Sequence, residues 1–203
     1  MSEVLIVSKT AIGGKVCIGG FDLATRTNIR LLDANGGFQN ANSPLGVGEI
    51  WTMTYTFPLL VTPPHVEDVH VQAQTLLFAA NAIQNLSAYI QSYVLPWNGG
   101  LGVTYGGMLM STHTGSKFIS LANYPMCGVG FWISDQDLIY NNATKKYEIH
   151  CPLFGVTIIK YVGVATPAQL IPAGTLVRLS LARWWSNVPT MEPRCYLQLS
   201  GWY

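Results

Sequence analysis

A histidine beside two carboxylates can hold a metal ion or pass a proton, and Pro63-Pro64-His65-Val66-Glu67-Asp68 sets one there on a segment stiffened by two prolines. In extended chain, alternate residues face opposite sides. His65 and Glu67 would then share one face, and Asp68 would share the other with His70. Two roles fit the cluster: the acid–base or metal site of a hydrolase, or a polar network that pins the loop to the body of the fold. The network is preferred, because groups split between two faces do not converge on one substrate.

Other chemistries lack their residue patterns. Cys17, Cys127, Cys151 and Cys195 are far apart, with no Cys-x-x-Cys pair and no histidines at zinc-like intervals. No Gly-x-Ser-x-Gly elbow is present. Gly99-Gly100 and Gly106-Gly107 are not followed by the Lys-Ser/Thr of a phosphate loop and read as turns. The expectation is a chain with no catalytic residues, no metal and no cofactor, and so not an enzyme.

Cations interleaved with aromatic rings suggest a different chemistry. Lys9, Arg26 and Arg30 lie in the first half, and Arg178, Arg183, Trp184, Trp185, Arg194 and Tyr196 lie near the C-terminal strands, followed by Trp202. Small β-barrels bind single-stranded nucleic acid by stacking bases on aromatic rings while cations follow the phosphates. Arg183-Trp184-Trp185 is the best candidate platform; its alternative role is core or the seam between two lobes. Asp22 and Arg30 flank a hairpin turn and could pair across it as a modest salt bridge.

Composition limits these readings. Of 203 residues, 49% are hydrophobic and 10% charged, against about 25% charged in a typical globular chain. Such a chain folds along nearly its whole length and leaves apolar surface exposed, which a larger protein partner or self-association would cover. The formal net charge of +1 lacks the basic excess of most nucleic-acid binders, so any such binding rests on a local patch. Met1 to Lys9 does not read as a signal peptide, and the apolar stretch Thr75 to Leu95 is broken by Asn81, Gln84, Asn85, Ser87 and Gln91. No membrane span is expected, the cysteines are expected to be reduced, and the expected location is the cytoplasm.

The elements that must position these residues are mostly strands. Short β-favouring runs occur at Val4 to Ser8, Lys15 to Leu23, Asn28 to Leu32 and Val47 to Phe57, with a hairpin turn at Ala24 to Thr27 and a polar loop over Asp33 to Leu45. Ala73 to Leu95 carries Leu76, Leu77, Ala80, Ile83, Ile90 and Val94 at helical spacing, which predicts one long helix. Pro96-Trp97-Asn98-Gly99-Gly100 ends it and marks the boundary between residues 1–96 and 97–203. Strands return at Gly128 to Ile133, Tyr147 to Cys151, Val156 to Val164, Thr175 to Trp184 and Arg194 to Trp202, with Asp135 to Lys146 as a connection. Gly46-Val47-Gly48 and Pro172-Ala173-Gly174 each precede a dense apolar strand, the place where a small barrel bends sharply. The reading is mainly β with one long helix, as two OB-like small β-barrels in tandem.

Residues at both ends carry a family resemblance. Leu5-Ile6-Val7-Ser8-Lys9, Val16-Cys17-Ile18-Gly19-Gly20-Phe21-Asp22 with Arg30-Leu31-Leu32, and Pro63-Pro64-His65-Val66-Glu67-Asp68 resemble the dual OB-containing domain family. So do Leu179-Ser180-Leu181-Ala182-Arg183-Trp184-Trp185 and the terminal run Arg194 to Tyr203. The resemblance implies paired OB-like barrels in bacterial proteins, with roles in nucleic-acid or nucleotide recognition near mobile-element or phage-defence genes. It implies no catalytic residues, and the other open role is a docking subunit of a larger ATPase or nuclease assembly.

Overall fold

The computed structural model describes residues 1–151, 155–186 and 188–203. Its chain divides into two compact units, one of residues 1–62, 67–95 and 203, the other of residues 63–66 and 96–202.

In the first unit, strands β1 (Ser2–Ile12), β2 (Lys15–Asp22) and β3 (Thr27–Leu32) form an antiparallel meander, and β4 (Gln39–Asn40) adds briefly to β2. Strand β5 (Ile50–Thr56) runs antiparallel to β1 and to β6 (Asp68–Phe78), and β6 lies parallel to β3. The order β1-β5-β6-β3-β2 closes through the β1–β2 pairing, which makes a five-stranded barrel of OB type. A bulge between Ile6 and Ser8 bends β1 so that it can serve both neighbours. Alternation does the rest: Val4, Ile6, Val16, Ile18, Ile29, Leu31, Met53 and Val69 point inward and are buried. Gly20 sits among them because a Cβ there would lie 2.6 Å from the Val4 side chain.

The second unit repeats this wiring. After β7 (Trp97–Gly99), β8 (Met110–Ser111) and β9 (Lys117–Ser120), the chain forms β10 (Val129–Ser134), β11 (Leu138–Asn141), β12 (Lys146–Cys151) and β13 (Gly155–Tyr161). It ends with β14 (Leu170–Ile171), β15 (Leu176–Leu181) and β16 (Arg194–Trp202). The sheet runs β11-β12-β13-β16-β15-β10. Its two ends, β10 and β11, are successive pieces of one stretch of chain, so the path returns on itself. β13 and β16 are parallel, as β3 and β6 are in the first unit, and the other pairings in this path are antiparallel. The interior holds Trp132, Leu138, Tyr147, Ile159, Leu179 and Leu199.

The glycine repeat read from the sequence is a structural repeat. Gly48 and Gly174 stand just before β5 and β15, the fourth strands of their barrels, with φ of +88° and +84°. Each donates its N–H to the first strand: Gly48 to the Ile6 carbonyl and Gly174 to the Ser134 carbonyl, both at 2.8 Å. None of the four cysteines forms a disulfide.

The long helix expected over 73–95 is not present. Residues 73–78 extend β6, where Thr54, Met53, Thr52 and Trp51 of β5 face Ala73, Gln74, Thr75 and Leu76. A ready antiparallel partner outweighs the helical preference of Ala, Leu and Gln, which is worth only tenths of a kcal/mol per residue. Helix survives in a 3-10 turn at Ala80–Ala82 and in the six-residue α1 (Leu86–Gln91), capped by the Asn85 side chain accepting from the Ala88 N–H at 2.9 Å. The connection expected over 135–146 likewise contains a strand, β11. No helix among the described residues is long and apolar enough to cross a membrane.

Candidate functional site

The loop of residues 182–193 joins the fourth and fifth strands of the second barrel, and its base continues their ladder. Ala182 N–H donates to Tyr196 at 2.8 Å, and Trp185 and Arg194 exchange backbone hydrogen bonds of 3.1 and 2.9 Å. In such a ladder neighbouring side chains point opposite ways. Trp184 therefore turns into its own unit, where its indole N–H donates to the Pro63 carbonyl at 2.7 Å and the Tyr124 ring meets it edge-on. Trp185 turns out and is 55% exposed. Arg183, two residues before it, is exposed as well.

Trp185 begins a row of rings. Its centroid is 6.3 Å from that of Tyr196, which is 6.0 Å from that of Phe118 on β9. The Arg194 guanidinium lies over the Phe118 ring at 4.1 Å. An exposed indole backed by a second ring can stack a planar base, and a nearby guanidinium such as that of Arg194 can attract its phosphate. Phe118 carries no signal of its own in the sequence; its place in the row depends on Phe118 facing Tyr196 across the β9–β16 pairing.

The other basic candidates lie elsewhere. Arg30 is 8% exposed and pairs with Asp68, its neighbour across the parallel β3–β6 ladder. Burial works against the Arg30 charge, but the Asp68 carboxylate outweighs it and holds the guanidinium above its usual pKa. Arg178 is 3% exposed and reaches the Ser200 hydroxyl at 3.3 Å. Neither presents itself on an open surface. Lys9 donates to the Ser43 carbonyl at 2.6 Å, and Arg26 covers the Tyr93 ring at 5.9 Å. The pairing of Asp22 with Arg30 is replaced by other partners: Asp22 accepts from the Tyr55 hydroxyl at 2.6 Å and from the Ala24 and Thr25 N–H groups at 2.9 Å.

His65, Glu67 and Asp68 are all buried. His65 Nε2 lies 3.1 Å from the Ala182 carbonyl and 3.8 Å from Cys195 Sγ. Burial pushes the Cys195 thiol up to about 12 against the opposing pull of Arg183, so the thiol stays protonated and is a poor nucleophile. Asp68 is committed to Arg30, and the Glu67 carbonyl accepts from the Arg30 N–H at 2.7 Å. An open cleft beside β11 and β12 is lined by Asp135, Gln136, Asp137, Ile139, His150 and Ala173. There Asp137 accepts from the Ala173 N–H at 2.8 Å and His150 lies 3.3 Å from Glu148. Among the described residues no three His, Cys, Asp or Glu side chains are grouped to hold a metal ion.

The two barrels differ in the wall formed by their second and third strands, the face on which OB folds take oligomeric ligands. In the first barrel, Val16 to Asp22 and Asn28 to Leu32 are buried or half-buried, with Phe21 edge-on to Tyr93. In the second, His150, Val156 and Lys160 are exposed on β12 and β13.

A family model for the dual OB-containing domain matches residues 2–202. No curated protein and no solved structure matches the chain.

Proposed function

This chain belongs to the dual OB-containing domain family over residues 2–202, and on that premise we propose that it recognises single-stranded nucleic acid, without catalysis, through its second barrel. The observation that carries this reading is Trp185, 55% exposed on the loop between the fourth and fifth strands and backed by Tyr196. Loops at that position are one of the places where OB barrels hold their ligands. Bases stack on Trp185 and Tyr196, while Arg183 and Arg194 supply charge for the adjoining phosphates. Stacking is nearly indifferent to base identity, since every base has a π-face. The near-neutral net charge of +1 agrees with a short contact rather than a long electrostatic track.

Titration of the intrinsic fluorescence with oligo-dT and oligo-rU tests this. Binding is expected to quench the indole emission. Trp185→Ala should weaken affinity by about 1–3 kcal/mol, the value of one base–aromatic stack, and remove most of the quench. Wild-type affinity in a Trp185→Ala variant that retains its circular dichroism would exclude the platform.

A protein-docking role has its own supporting observation. Phe57, Leu59, Leu60 and Val61, on the loop between β5 and β6, are 67%, 102%, 91% and 44% exposed, within a stretch from Ile50 to Val66 that holds no Lys, Arg, Asp or Glu. Apolar surface presented in this way marks an interaction site. The two roles occupy different loops of different units and are compatible.

A further inference from the structure

The outer wall of the second barrel continues the row that starts at Trp185. Tyr147, Ile159 and Leu199 are fully buried in the barrel interior, so the residues beside them, Lys146, Lys160 and Gln198, face outward. Gln198 follows Tyr196 on the same face of β16, and pairs with Lys160 on β13. Lys160 in turn stands directly opposite Lys146 on β12. One two-residue step along a strand and two steps between strands put Lys146 roughly 12 Å from Tyr196.

Two like charges directly opposite on neighbouring strands destabilise the pair. Here they occur in a chain with only 11 lysines and arginines. Among the described residues neither lysine has an ion-pair partner. The acidic group closest in register, Glu148, is engaged: it accepts from Asn141 Nδ2 at 2.7 Å and lies 3.3 Å from His150 Nε2. Lys145, exposed at the preceding turn, adds a third cation to this corner. Such a juxtaposition is relieved by an anion placed between the two ammonium groups.

We propose that Lys146 and Lys160 form a phosphate clamp that holds the sugar–phosphate backbone of the strand whose bases stack on Trp185 and Tyr196. This rests on the reading of the second barrel as a single-strand site and extends that site across β16, β13 and β12. The ligand is a polynucleotide rather than a lone nucleotide, because the clamp and the stacking row are too far apart for one phosphate to serve both. Its footprint falls within the about 4–16 nucleotides that an OB barrel covers.

The test compares the full chain, the double variant Lys146→Ala/Lys160→Ala and the charge-keeping Lys146→Arg/Lys160→Arg on oligo-dT over a salt series. Removing two phosphate contacts should lower the slope of log K against log salt by roughly 1.4, at about 0.7 per contact on a single strand. The arginine pair should retain the slope, and the fluorescence quench at saturation should be unchanged in both variants. A wild-type slope in the alanine pair overturns the clamp while leaving the stacking platform standing, provided Trp185→Ala still weakens binding. Absence of binding by the unmodified chain overturns both.

Discussion

Asp22 and Arg30 show how this chain handles buried charge. Burial raises the pKa of Asp22, but the Tyr55 hydroxyl and the Thr25 N–H outweigh that and hold the carboxyl below its ordinary value of 3.8. A carboxyl lowered in the folded state contributes stability that is present above the unfolded pKa and is lost as pH falls through the folded one. Tyr55→Phe removes the first of these hydrogen bonds and should lower stability most near neutrality and progressively less as pH falls through the folded pKa, moving the acid-unfolding midpoint to higher pH, read by circular dichroism. An unmoved midpoint would deny the bond that role. Arg30 and Asp68 form a buried pair whose value shows mainly when one partner is removed, because the other charge is then left without its counterpart. Little of this was legible in the sequence. The hairpin placed Asp22 and Arg30 close together, but the pairing that decides Arg30's partner is the parallel one between β3 and β6, 38 residues apart. Trp184 and Trp185 were legible as a pair; that one is anchored and the other open follows from the ladder their loop continues.

At the scale of elements, strands follow alternation and glycine spacing, and these were readable through much of both barrels. Strand β11 was hidden in a polar stretch read as a connection, and after Val71 Ala, Leu and Gln at helical spacing gave no warning that β5 waits alongside as a partner. The two glycines before the fourth strands act at this scale. A Cβ at Gly174 meets nothing within 4 Å, and at Gly48 it meets Ala80 only at an ordinary 3.4 Å, so substitution tests backbone conformation rather than space. Gly174→Ala and Gly48→Ala force a left-handed φ on a side-chain-bearing residue and should each cost about 1–3 kcal/mol. That corresponds to a fall in Tm of roughly 2–12 °C for a chain of this size. Equal losses at the two sites would show that the corner is the same device in both barrels; a loss of less than about 0.5 kcal/mol at either would remove the strain argument there.

At the scale of the whole molecule, two barrels with one wiring have taken different surfaces. The wall of second and third strands is covered in the first unit and open in the second, and the ring-and-cation row adjoins the open one. The tandem barrels could be read from sequence because each half carries its own strands and corner glycine. Which wall stays open could not, since that depends on packing between residues far apart in the chain, such as Phe21 against Tyr93. Charge is sparse enough that a few side chains set the electrostatics, so salt dependence becomes a direct count of phosphate contacts.

The most direct test of this account is binding of the purified chain to labelled single-stranded DNA, single-stranded RNA and duplex DNA across a salt series. Both single strands should bind and duplex should bind more weakly, because paired bases cannot reach Trp185 and Tyr196. The log–log salt slope should be about 3, from Arg183, Arg194, Lys146 and Lys160 at about 0.7 each. No binding to either single strand at low salt, or equal binding to duplex, would contradict it.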